Sequence, residues 1–191
     1  MAKELENRPE MLTRPENAEV DIGVESKFQK HLIANHGKNA IIITARVHPG
    51  EIQASYALEG VLRFLLSGFK KAKELRKKYI FYIVPMLNPD GVIHGNHRTD
   101  LAGFDMNRRW ADPSPWLHPI MYACKFLTKM IKEERPIDVF CDIHGHFQPT
   151  GGFAYCCSYN KPGHAVLKAD MENEATLRVI PSLMSQFNPL F

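Results

Sequence analysis

The 191-residue sequence predicts an α/β domain built on a largely parallel sheet. Three observations carry that reading. Short β-branched runs alternate with longer helical patterns. The runs are apolar at consecutive positions, as in strands buried on both faces, rather than at every second position. The unusual polar residues gather just after the runs, and in open α/β sheets ligands bind beyond the carboxyl ends of the strands.

The elements follow in order. Residues 1–30 are polar, rich in Glu, Asn and Arg, and contain Pro9 and Pro15; they predict a tail or linker ahead of a globular part at 31–191. Residues 40–47, an Ile-rich run, predict the first strand. A helix follows at about 52–67. Its polar positions Glu59, Arg63 and Ser67 recur every four residues and the rest is largely apolar, so most of its surface should be buried. Lys70, Lys71, Lys73, Arg76, Lys77 and Lys78 read as a solvated helix face rather than a binding patch. Residues 79–84 predict a second strand. The stretch 86–117 is irregular, punctuated by Pro89, Gly91, Gly95, Gly103, Pro113 and Pro115, and loops of that length inside a compact domain are usually functional. Ile120, Cys124, Leu127 and Ile131 share one face of a helix at about 118–134. Residues 139–143 predict a third strand and 153–157 a fourth. Leu177, Ile180 and Met184 sit at helical spacing in a last helix, about 168–185.

The bulk properties narrow the function. A formal net charge of +3, with no basic stripe interleaved with aromatics, gives no reason to expect nucleic acid or a membrane as partner. Cys124, Cys141, Cys156 and Cys157 form neither a CxxC pair nor a disulfide framework, and read as reduced, mostly core thiols of a cytoplasmic protein. The first residues lack the apolar stretch of a secretory signal, and no apolar run is long enough to span a bilayer.

A catalytic zinc site needs three protein ligands and one open position, and two histidines with one carboxylate are a common set. His48-Pro-Gly-Glu51 offers an imidazole and a carboxylate across a turn after the first strand. His144 ends the third strand and could close the triangle. An HxxE pair alone is a weak signal; three polar residues at strand ends of one sheet are a stronger one. Asp105 and Asp142 are candidates to accept the other ring N–H of the histidines. His94, His97 and His146 read as hydrogen-bonding loop residues, and Trp110 and Trp116 as loop packing.

Four motifs then occur in order: Ala-Arg-Val-His48-Pro-Gly-Glu51; Val-Pro-Met-Leu-Asn-Pro-Asp-Gly91 running on to His-Arg98; Gly103-Phe-Asp-Met-Asn107-Arg108-Arg-Trp110; and Cys-Asp-Ile-His144-Gly-His. Together they resemble the zinc metallocarboxypeptidases, and the cytosolic carboxypeptidase subfamily in particular, from about residue 40 onward. The resemblance implies an α/β/α sandwich with a mixed, largely parallel sheet. It implies one zinc ion on His48, Glu51 and His144, and Arg98 polarising the scissile carbonyl. It places Asn107 and Arg108 on the substrate's terminal carboxylate. It also implies a substrate class, acidic or glutamylated protein tails such as those of tubulin.

In the family, a second glutamate acts as general base on a late strand, well beyond the third ligand. Here 47 residues follow His144, with only Glu172 and Glu174 among their glutamates, and neither is assigned that role. The expectation is therefore the N-terminal part of a catalytic domain, incomplete at its C-terminus. The alternatives are a catalytically inactive, zinc-containing module that binds acidic C-terminal tails, and an amidohydrolase acting on small acylated amino acids.

Overall fold

The computed structural model describes residues 37–147, 151–156 and 168–188. The Ile-rich run forms β1 (Asn39–Ala45), the central strand of a three-stranded parallel sheet of order β2-β1-β3. It stops at Ala45, short of the expected residue 47, because Arg46 takes φ 57° and turns the chain out of the extended region. β2 (Tyr79–Val84) pairs from Asn39↔Tyr79 to Thr44↔Val84. β3 (Ile137–Ile143) pairs on the other side, with one register shift between Ala40 and Ile41.

Two helices, α1 (Ile52–Leu66) and α2 (Lys70–Lys78), connect β1 to β2. The return from β2 to β3 passes through α3 (Pro89–His94), a single 3-10 turn (Met106–Arg108) and α4 (Pro119–Glu134). Parallel crossovers share one hand, so reversing direction along the sheet sends the two connections to opposite faces. The core agrees. Ile43 and Ala45 of β1 pack with Ala54 and Leu58 of α1. Ala40 and Ile42, on the other face, pack with Ile131 of α4. A third cluster joins Val47, Leu87 and Met106 to Met121 and Cys124 of α4. This is the helix–sheet–helix layering expected, and the described strands are all parallel.

The long 86–117 stretch is held by side chains rather than by a ladder. Asn88 is fully buried; its side-chain oxygen accepts from the Gly91 N–H, capping α3, while its Nδ2 donates to the carbonyls of Val47 and Thr99. Pro89 begins α3 and Gly95 ends it at φ 76°.

Three expectations change. Most of α1 is not covered: Ile52, Tyr56, Phe64 and Leu66 are exposed, because only one stripe of the helix, around Ala54, Leu58, Val61 and Leu62, packs with the β1 side chains. Leu127 of α4 is likewise more exposed than its neighbours Cys124 and Ile131. Phe153–Cys156 form no strand. A strand exists through pairing with a neighbour, and among the described residues these four have none; Cys157 lies outside those residues, as does the 1–30 segment.

The chain divides into two compact units, one through Gly145 and one from His146 onward. In the second, α5 (Lys168–Phe187) contains Pro181 in its interior, and Cys156 donates to the Leu177 carbonyl.

Candidate metal centre

β1 and β3 are neighbours whose connecting helices lie on opposite faces, so a crevice opens at their carboxyl ends. Both histidines and the glutamate stand there. His48 and Glu51 follow β1, and His144 follows β3; one ligand atom from each lies within 4.8 Å of the others. His48 Nδ1 is 2.7 Å from Glu51 Oε1, and His144 Nδ1 is 3.2 Å from Glu51 Oε2. The two rings are 5.1 Å apart between centroids. His48 and Glu51 are buried, and the His144 side chain is 30% exposed, which leaves an open side.

Each remaining ring nitrogen is engaged by a carboxylate. His48 Nε2 is 3.1 Å from Asp105 Oδ1, and His144 Nε2 is 2.7 Å from Asp142 Oδ2. With the Nε2 protons held outward, the Nδ1 lone pairs of both rings point toward Glu51. The donor set of two Nδ1 atoms and one carboxylate thus fits a zinc ion with a fourth position open. The hydrogen bond and charge of Asp142 raise the pKa of His144 despite its partial burial, with Glu51 adding to the effect. A metal binding here must displace that proton. Burial pushes Asp105 upward, but His48 and Arg98 outweigh it and hold its carboxyl below the usual value, so it stays ionised.

The supports of the ligands were only partly visible in the sequence. Thr44 Oγ1 donates to Asp142 Oδ1 at 2.7 Å, across the register pair Thr44↔Asp142. The Gly145 N–H donates to Glu51 Oε2 at 2.8 Å. Buried Arg46 donates from Nε to the Pro49 carbonyl and from Nη1 to Ser55 Oγ, both at 2.7 Å, pinning the turn between His48 and Glu51. A charge at the end of a strand buried on both faces was the available signal for Arg46. The Gly50 N–H donates to the His97 carbonyl, and a Cβ at Gly50 would come within 2.7 Å of that oxygen. Glycine there lets the loop that carries Arg98 close onto the loop that carries the ligands.

Arg98 donates through Nε (2.9 Å) and Nη2 (2.8 Å) to Asp105 Oδ2, so one carboxylate ties the guanidinium to His48. Asp105 also caps the 3-10 turn, accepting from the Asn107 N–H at 3.0 Å. Asn107 is half-buried on that turn, and Arg108 beside it is exposed with no carboxylate partner among the described residues. His94 is exposed, and His146 packs edge-on against Phe153 in the second unit.

Two histidines and a glutamate converging on one point, each histidine backed by an aspartate, form a set that could hold one metal ion beyond the carboxyl ends of a parallel sheet. Comparison with known proteins narrows the class. Residues 11–148 match the zinc carboxypeptidase family model, and the chain belongs to that family. It is 41% identical over 172 residues to cytosolic carboxypeptidase 1 of Gallus gallus, covering 87% of this chain and 14% of that protein. It is equally similar, 41% over 172 residues, to cytosolic carboxypeptidase 4 of Mus musculus, covering 87% and 15%. The chain therefore spans about one-seventh of the length of these relatives. Among solved structures, a putative carboxypeptidase from Burkholderia mallei aligns with TM-score 0.60 and 33% identity, over 73% of this chain and 35% of that one. A metallo-carboxypeptidase from Pseudomonas aeruginosa, in complex with (2-guanidinoethylmercapto)succinic acid, aligns with TM-score 0.59 and 34% identity, over 72% and 36%.

Proposed function

We propose that this chain supplies the metal centre and carboxylate grip of a cytoplasmic zinc carboxypeptidase that removes C-terminal residues, glutamates in particular, from acidic protein tails such as those of tubulin. The observation that carries the reading is the convergence of His48, Glu51 and His144 beside the loop that bears Arg98, Asn107 and Arg108. The names of the cytosolic carboxypeptidase relatives support the compartment, and the resemblance of the motifs supports the substrate class.

A bound zinc polarises a carbonyl and lowers the pKa of water. The remaining roles belong to the chain itself. Asp105 and Asp142 orient the two imidazoles, so the ligand set is formed before metal or substrate arrives. The Arg98 donors not engaged with Asp105 are available to a carbonyl oxygen that gains negative charge. The Asn107 amide and the Arg108 guanidinium hold the terminal carboxylate, the latter in the two-pronged geometry that favours arginine over lysine. A proton acceptor for the attacking water is also needed. Asp105 and Asp142 are engaged by the histidines, and the resemblance places the base on a later strand, so none of these residues is assigned that role.

The test is glutamate release by the zinc-loaded chain from a polyglutamate-tailed peptide, beside a peptide with a neutral C-terminus and a His144→Ala control. Release from the acidic tail that exceeds the neutral one and is lost in the control supports the reading. Equal release from the two peptides contradicts the glutamate preference. Tail binding without release would favour the alternative of an inactive module that holds acidic tails.

A further inference from the structure

The two ends of an asparagine amide have the same shape, and their chemistry differs only in which hydrogen bonds they make. At Asn107 a neighbour decides between them. The indole Nε1 of Trp110 stands 2.8 Å from Asn107 Oδ1, and an indole nitrogen can only donate. The flipped amide would set N–H2 against N–H and strand the indole donor. Asn107 therefore turns its oxygen to Trp110 and keeps Nδ2 for another partner, while its backbone N–H is already taken by Asp105.

Trp110 is anchored well enough to enforce this. Its ring meets Phe140 of β3 edge-on, with centroids 5.7 Å apart and planes at 89°, and it packs on the Val47, Leu87 and Met106 cluster. We propose that Trp110 is a positioning residue that locks Asn107 with its amide N–H2 toward the substrate, making the carboxylate cradle donor-only. The proposal rests on the substrate-binding role given above to Asn107 and Arg108. Arg108 cannot accept a hydrogen bond, and the locked amide presents its N–H2 to the substrate because its oxygen is turned to Trp110. A carboxylate, acceptor-only, satisfies such a pair. A C-terminal carboxamide would bring its own N–H2 against the donors. Trp110 thus acts, through Asn107, on the discrimination between a free C-terminus and an amidated one.

The test uses the full zinc-loaded chain and two small probes, N-acetylglutamate and its α-carboxamide, titrated by NMR. The wild-type chain should bind the acid at least about tenfold more tightly than the amide, the scale of one charge-assisted hydrogen bond. Trp110→Phe keeps most of the ring packing but lacks the donor; its acid-to-amide ratio should fall at least about threefold below wild type, staying above unity because Arg108 still grips the acid, with zinc stoichiometry unchanged. A purely structural role would weaken both probes together and leave the ratio intact. An unchanged ratio in folded Trp110→Phe overturns the proposal and leaves the carboxypeptidase reading standing. No acid preference in the wild-type chain overturns both. If Trp110→Phe does not fold, hydrogen exchange of the Trp110 indole N–H decides: Asn107→Leu should speed it, and an unchanged rate contradicts the proposal.

Discussion

Asp142 makes two contacts with one carboxylate: Oδ1 accepts the Thr44 hydroxyl and Oδ2 holds His144 Nε2. The first contact fixes the second, because a carboxylate tied to the central strand cannot follow a rotating imidazole. Asp142→Asn should therefore weaken zinc binding by about 10–100-fold with little change in fold. Competition with a chromophoric chelator measures it, and an affinity equal to wild type would show that His144 needs no such support. The clustering of His48, Glu51 and His144 was legible in the sequence because imidazoles and carboxylates are conspicuous after apolar strands. The roles of Thr44 and Arg46 were not. One depends on strand register, the other on a left-handed backbone angle at a residue with no glycine to announce it. Trp110 read as packing, which it is, but its indole nitrogen does more than pack.

The three described strands and the longer helices were read to within a few residues because their signals are local, whereas α3 (Pro89–His94) fell inside a stretch read as irregular. β-branched runs stiffen the extended chain, and spaced apolar side chains make a helical stripe. What failed was inference about coverage. The apolar surface of α1 says that burial would be favourable, yet Ile52 and Tyr56 remain exposed, since covering a helix on all sides takes partners its own sequence does not specify. Residues 153–156 failed for the same reason: among the described residues they have no paired neighbour, and propensity alone makes no strand. α4 formed where it was read, though Leu127 of its expected apolar face is exposed, and its buried Cys124 carries a prediction. Burial, with the nearby charge of Asp142, pushes that thiol up to about 11. The thiolate is the reactive form, so at pH 8 Cys124 should resist iodoacetamide in the native protein and react once denatured. Mass spectrometry of the alkylated peptides checks this, and fast native labelling of Cys124 would contradict the packing of α4 on the sheet.

On the scale of the whole chain, the order β2-β1-β3 explains why residues 93 positions apart in sequence, Glu51 and His144, meet at one point. The crossover that leads away from β1 and the one that returns to β3 place both carboxyl ends side by side, and the His48, Glu51 and His144 cluster forms at that seam. Among the described residues, the sheet, the two backing aspartates and the loop of Arg98, Asn107 and Arg108 lie within the unit that ends at Gly145. The measurement that tests this account most directly is the zinc content of the purified chain after dialysis against excess zinc and then metal-free buffer. The account predicts one tightly held zinc per chain, lost in His48→Ala, Glu51→Ala and His144→Ala while circular dichroism stays that of the folded protein. Zinc retained by those folded variants, or no zinc held by the wild-type chain, would contradict it.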